Sequence, residues 1–380
     1  MSRLRRPPLR VWVWTAAALA VVVVAGLLWR GSDAAATTST TASEPAVASG
    51  SPAAELAVAW TTTPTGPAPD RAVESGRAVL AQDDGFRVLD PATGDEAWRY
   101  TRSNARLCGV TTVSDRVVAL FSTGGRCNEM VAFDAGTGVR TWYRSAGFAA
   151  DATLSSTQGI VLARSAGGVA TVDPIGNGTR WRYEVPEGCR LTDAAVGSSG
   201  VAVLQRCGED ASSAVLFDGI DGTQLWSRDL GVPEARLTGA DRLVGVVAGD
   251  ALQALSPADG TTLQDVPLPT AGGDGPLQQA GTDDAVLVWA RSTVLVLDAT
   301  TGALRWSLPA VGLPAVDEGG KTPDGAVLVP EDGAFVRRQL TTGDEVSRST
   351  APTGAPVGGR AAVVGSTVVL ATAEQVTAYR

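Results

Sequence analysis

The feature that most limits what this chain can fold into is a repeat. The segments VLDPATGDEAWRY (88–100), AFDAGTGVRTWYR (132–144), TVDPIGNGTRWRY (171–183), LFDGIDGTQLWSR (216–228) and VLDATTGALRWSL (296–308) each set an Asp eight residues ahead of a Trp. Two weaker copies, ALSPADGTTLQDV (254–266) and RRQLTTGDEVSRS (337–349), have Ser256 and Gln339 for the Asp and Gln264 and Ser347 for the Trp, but keep the Gly. Arg380 falls at the Asp position of an eighth copy, so the anchors run 90, 134, 173, 218, 256, 298, 339 and 380. A period of about 40 residues means stacked supersecondary units, each unable to bury its apolar face alone.

Each copy reads as a hairpin: an alternating strand, an Asp-initiated turn, and a second strand carrying the Trp. Asp accepts hydrogen bonds from the amides after it, and Gly supplies the positive φ of a tight turn. The turn pairs are Asp90 and Gly94, Asp134 and Gly138, Asp218 and Gly222, and Asp298 and Gly302, with Asp173 opening one further turn of this kind. An apolar run precedes each hairpin (77–81, 116–120 and 285–289 are examples), and a short inner strand ahead of it makes four strands per unit. Only 19% of residues are charged and 44 are Gly, which suits many short strands better than long surface helices. The expected fold is all-β, an eight-bladed β-propeller of four-stranded blades. The last unit stops at Arg380 after its third strand, and Glu55-Leu56-Ala57-Val58-Ala59-Trp60-Thr61 supplies the missing fourth. Pairing of the two ends then closes the ring and removes an open seam.

The A-x-D-x-x-T-G-x-x-x-W pattern over residues 54–380 resembles the PQQ-like propeller repeats of quinoprotein dehydrogenases and of BamB-type assembly proteins. The resemblance implies that Trp60, Trp98, Trp142, Trp181, Trp226 and Trp306 dock between blades, with the Asp-Thr-Gly turn packed beside each. It speaks for a fold and far less for a function, because one fold hosts many sites.

Ahead of the repeats, residues 11–29 are uncharged and mostly apolar, long enough as a helix to span a hydrocarbon core of about 30 Å. Arg3, Arg5, Arg6 and Arg10 precede this run and Arg30 alone lies after it, so the positive-inside rule leaves residues 1–10 as a cytoplasmic tail and exports the remainder. Two readings compete: a signal anchor retained in the membrane, and a signal peptide cleaved near Asp33-Ala34-Ala35-Ala36. The run exceeds the usual apolar core of a signal peptide, about 7–15 residues, which favours the anchor. Residues 31–53 have few large apolar side chains and read as a disordered Ala/Ser/Thr/Pro tether.

The four cysteines fall in two pairs of matching spacing, Cys108 with Cys127 in the second blade and Cys189 with Cys207 in the fourth. Matching spacing in an exported domain reads as two local disulfides. A four-thiolate metal site is the rival, but it lacks close C-x2–4-C spacing.

The chain has no His, which removes Ser-His-Asp and Cys-His catalysis and the commonest transition-metal ligand. Lys321 is its one lysine. With a net charge of −9, and five of its arginines confined to residues 1–30, the bulk would repel a phosphate backbone, so nucleic acid is excluded as a partner. A quinoprotein dehydrogenase would, by the resemblance, need PQQ, a calcium ion held by carboxylates and amides, and an adjacent Cys-Cys pair, which this chain lacks. The acidic pairs Asp83-Asp84, Glu209-Asp210 and Asp283-Asp284 fall in predicted loops and read as solvated turns, and Trp289 reads as core. No catalytic, cofactor or metal residue is assigned. The expected function is a non-catalytic envelope scaffold with an unidentified protein partner, tied to the cytoplasmic membrane through residues 11–29. A small-molecule or glycan sensor using the central funnel is the alternative, ahead of a PQQ-dependent dehydrogenase.

Overall fold

The computed structural model describes residues 9–208, 211–270, 275–316 and 322–380. Arg3, Arg5, Arg6, Glu209, Asp210 and Lys321 lie outside the described residues. After the N-terminal helix the chain forms eight sheets, antiparallel but for one short parallel pair in the last, set around a central channel, an eight-bladed propeller. Blade 2 shows the pattern: Arg106–Val113 innermost, then Arg116–Thr123, Arg126–Asp134 and outermost Arg140–Ser145, each paired to the next. Blades 1 to 8 cover 73–102, 106–145, 153–184, 189–229, 236–267, 278–309, 326–350 and 359–379.

The apolar core is divided among the blade boundaries. Val79, Phe86, Trp98 and Tyr100 of blade 1 cluster with Val117, Phe121 and Phe133 of blade 2, and an equivalent cluster fills each remaining boundary around the ring. Middle strands are therefore buried on both faces, as in Ala285–Ala290, whereas outermost strands alternate.

The ring closes between the chain ends: Val58–Thr62 is the outermost strand of blade 8, antiparallel to Val376–Tyr379. Ala57 and Arg380 extend that pairing with two reciprocal backbone hydrogen bonds of 2.9 Å.

Blade 7 builds its innermost edge less regularly than the others. Among the described residues it has three strands, Ala326–Glu331, Ala334–Gln339 and Glu345–Thr350. The segment at its inner edge, Gly312–Leu313, pairs in parallel with Gly359 and Arg360 of blade 8. It is joined to blade 7 by amide hydrogen bonds from Val311 to Pro330 (2.8 Å) and from Ala315 to Leu328 (2.9 Å), with Leu313 packed against Val327 and Val329. Gly312 faces Gly359 so closely that a Cβ on it would overlap the Gly359 carbonyl, so two glycines in register permit this pairing.

The N-terminal segment departs from expectation. The helix Leu9–Arg30 buries none of its side chains and has a mean hydropathy of 2.4 over its most apolar window, enough in length and composition to cross a membrane. The residues after it are ordered along the propeller: a short helix, Asp33–Ala36, then a strand, Thr37–Ser39, paired with Tyr100–Arg102 at the outer edge of blade 1. Poverty in apolar side chains prevents residues 31–53 from building a core of their own. It does not prevent their backbone from adding to an existing sheet edge, where N–H and C=O groups wait for partners.

Candidate functional site: blade boundaries, central channel and N-terminal strap

At six boundaries a Trp indole N–H reaches across to the next blade and donates to the carbonyl of the residue just after the turn initiator. Trp60 donates to Pro91 (2.9 Å), Trp98 to Ala135 (3.1 Å), Trp142 to Pro174 (2.7 Å), Trp181 to Gly219 (3.2 Å), Trp226 to Pro257 (3.0 Å) and Trp306 to Leu340 (3.0 Å). In four of these turns a carboxylate holds the loop: Asp90 Oδ1 accepts from the amides of Ala92 and Thr93, Asp134 from Thr137, Asp173 from Ile175 and Gly176, and Asp218 from Ile220 and Asp221. Asp298 likewise accepts from Thr300 and Thr301 in a turn that receives no Trp, whereas Ser256 and Gln339 open the remaining two. Gly94, Gly138 and Gly222 lie flat on the incoming indole at positive φ, whereas in blade 3 Asn177 takes the left-handed position (φ 56°). Gly302 meets Ala254, Leu263 and Gln264 instead of a Trp.

Cys108 is disulfide-bonded to Cys127 and Cys189 to Cys207, with no free cysteine. The two bridges differ despite their matching spacing. Cys189 and Cys207 are direct partners in adjacent strands. Cys108 occupies a bulge in the innermost strand of blade 2 and reaches past the second strand to Cys127 at the start of the third. Sequence spacing does not reveal a bulge, which is why the two pairs look equivalent in the sequence.

The innermost strands enclose a channel cavity of about 840 Å³. Its charged lining is Asp70, Arg71, Asp241 and Arg360. Asp70 is held by the Thr111 hydroxyl (2.6 Å) and the Ser156 amide (2.9 Å), and Asp241 by the Ser198 amide (2.8 Å). Arg360 projects from blade 8 and donates to the carbonyl of Gln279 (2.8 Å) and, at 3.5 Å, to that of Asp70. Burial first, and then the neighbouring Arg71 charge, push the Arg360 guanidinium down to about 10, with Asp70 and Asp241 pulling the other way. The sequence pattern does not single out these residues, because isolated Asp-Arg and Gly-Arg dipeptides in turns and strand ends carry no repeat signal.

One mouth of the channel is crossed by the N-terminal segment. Beyond blade 1 the Ala42 amide bonds to Thr137 (2.8 Å), Arg77 reaches the Ser43 carbonyl (3.2 Å), residues 45–48 line the cavity, and Ala54 accepts from the Thr350 amide (2.8 Å). The start of this strap is latched. Asp33 accepts from Arg102 (3.0 Å) and Asn104 (2.7 Å), and buried Arg102 also pairs with Glu129.

Known proteins share both the repeat and this ring. A family model described as outer membrane protein assembly factor BamB matches residues 28–244, more than half of the chain. The chain belongs to this family of PQQ-like propellers. A search of curated proteins finds no significant match. Among solved structures, BamB from Moraxella catarrhalis is 17% identical with a TM-score of 0.51, covering 86% of this chain and 99% of that one. The computationally designed Ika8 protein is 15% identical with a TM-score of 0.57 and the same coverage. The quinohemoprotein alcohol dehydrogenase ADHIIG from Pseudomonas putida HK5 is 11% identical with a TM-score of 0.50, covering 86% and 76%. At such identities the likeness shows a shared fold.

The calcium and quinone that the dehydrogenase resemblance implies do not fit the residues of this PQQ-like propeller. The channel acids are already engaged by hydroxyl and amide donors, and among the described residues no three His, Cys, Asp or Glu side chains gather as a metal site. Asp83 and Asp84 sit in an outer turn of blade 1, and Asp284 pairs with Arg305 (3.0 Å) beside a turn of blade 6, away from the cavity lining.

Proposed function

We propose that this protein is a non-catalytic scaffold of the cell envelope, held at the cytoplasmic membrane by residues 11–29 with its N-terminus inside and its propeller outside. The observation that carries this reading is the join between helix and propeller: Gly31 and Ser32 alone separate Leu9–Arg30 from the helix Asp33–Ala36, which is latched to Arg102 and Asn104. A membrane-spanning Leu9–Arg30 therefore holds the propeller edge at the bilayer surface, where an envelope partner is met. Membership of the BamB-described family supports a binding role over chemistry. The alternative cleavage region, residues 33–36, lies within that latch, and the Ala36 carbonyl accepts from the Ser103 amide (2.9 Å), which favours the anchor.

The test combines topology with capture. A reporter active only outside the cytoplasm, fused after Arg380, is expected to be active on a membrane-bound product that retains residues 1–36. Crosslinking in native membranes is expected to recover an envelope protein with the full chain but not with a chain ending at residue 53. A product shortened near residue 36 overturns the anchor, and identical recoveries from the two chains overturn the scaffold.

A further inference from the structure

We propose that the central channel is a binding site for a small molecule carrying an oxyanion, a carboxylate or a phosphate, gripped between Arg71 and Arg360. The two guanidiniums line the same 840 Å³ cavity and neither forms an ion pair among the described residues. Arg360 spends two N–H groups on the backbone carbonyls of Gln279 and Asp70, and no hydrogen bond to the Arg71 side chain is present among the described residues. The two carboxylates that line the cavity are occupied by donors other than arginine: Asp70 by Thr111 and Ser156, Asp241 by Ser198.

Some arginines at blade edges are ion-paired, Arg102 with Glu129 and Asp33, Arg305 with Asp284 and Asp298, Arg338 with Glu331, whereas others, such as Arg182 and Arg242, bond to backbone carbonyls outside the cavity. Two cations that line one confined, partly desolvated cavity repel, a cost that water and the lining carboxylates Asp70 and Asp241 offset only in part. An oxyanion between them converts that repulsion into two charge-assisted contacts, and the planar guanidinium fork matches a carboxylate or phosphate edge. Burial is the main cause of the lowered Arg360 guanidinium pKa, and the Arg71 charge adds to it in second place. The cavity is of a size that takes a small metabolite, and residues 45–48 form part of its wall. The site goes beyond the scaffold reading and stands without it, since it uses the channel interior and no membrane or protein contact.

The experiment is calorimetric titration of the full-length protein in detergent at pH 7 and low salt, with citrate and with inorganic phosphate as separate probes. Saturable one-site binding is expected for at least one. Citrate alone assigns a carboxylate ligand, phosphate alone a phosphate ligand, and both together the bare oxyanion as the recognised group. Arg71→Gln and Arg360→Gln are each expected to weaken binding at least tenfold. The readout that separates ligand binding from a structural role is the unliganded thermal midpoint of Arg71→Gln: removing a repelled charge leaves it unchanged or raises it. Absence of saturable binding by either probe, an unchanged affinity in Arg71→Gln, or a lowered midpoint in that variant overturns the site.

Discussion

The boundary between blades 1 and 2 and the boundary between blades 7 and 8 solve the same packing problem by different means. At the first, Trp98 is fully buried, donates to Ala135, and stacks edge-on against Phe86 with ring centroids 5.5 Å apart. At the second, the Trp position is the exposed Ser347, and blade 8 has no turn to receive a side chain because the two chain ends meet where that turn would lie. Backbone bonds from Thr350 to Ala54 and from Leu56 to Thr350, with the ring pair Phe335 and Tyr379 at 4.9 Å, hold it instead. The Trp is thus one half of a device whose other half is a covalently closed turn. Where the turn is missing, an indole would have no carbonyl to meet.

Substitutions at these boundaries sharpen the contrast. Trp98→Ala removes a fully buried side chain and a cross-blade hydrogen bond, and should cost about 3–5 kcal/mol, read as a lower urea midpoint of the full chain. Ser347→Ala should leave that midpoint within about 0.5 kcal/mol. Next in size, Gly138→Ala forces a methyl group to within 2.5 Å of the Trp98 ring at a φ of 75°, an overpacking cost of about 1–3 kcal/mol. Gly302→Ala is milder because its nearest neighbour is the Ala254 methyl at 3.0 Å. Equal losses from the two glycine variants would contradict the indole's part in setting the cost.

A smaller effect is expected from adding a Trp. Gln264→Trp faces an intact Asp298 turn, whose Ala299 carbonyl is equivalent to the acceptors used elsewhere, and should raise the midpoint by the worth of roughly one hydrogen bond, about 1 kcal/mol. Ser347→Trp should not. The smallest effect is in acid. The Arg305 guanidinium, with the Thr301 and Thr300 amides, holds the Asp298 carboxyl below the usual carboxylate range. Burial works against the Asp173 carboxylate, but the Gly176 and Ile175 amides and Arg180 outweigh it, so its pKa also falls. A lowered carboxylate stabilises the fold above its unfolded pKa, and that contribution disappears as pH falls through the folded value. Stability should therefore decline below about pH 4, and Asp298→Asn should flatten the decline; an unchanged acid profile would remove the turn carboxylates from the account.

Much of the blade architecture was legible because it rests on local chemistry repeated along the chain. An Asp, a Gly and a Trp at fixed spacing encode a turn, its positive φ and the indole it supports, and the strand ending at Trp60 supplies the piece that the last repeat lacks. The disulfide partners were legible for the same reason, whereas the bulge at Cys108 was not, because it changes register without changing sequence spacing. Residues 31–53 misled because low apolar content predicts the absence of a private core, a condition that strand addition does not require.

The sequence by itself determined the eight-unit ring, from a repeat of about forty residues, and its closure, from a Trp-bearing strand at 55–61 that supplies the one the last repeat lacks. From composition it determined a helix long and apolar enough to cross a membrane. Only the tertiary structure decided that Gly312–Leu313 pairs with blade 8 as well as bordering blade 7, that the N-terminal segment crosses the channel mouth, and that Arg71 and Arg360 share one cavity. Those placements join residues far apart in the chain, and their physical cause is the closed ring, which brings the first strand of every blade to the same axis.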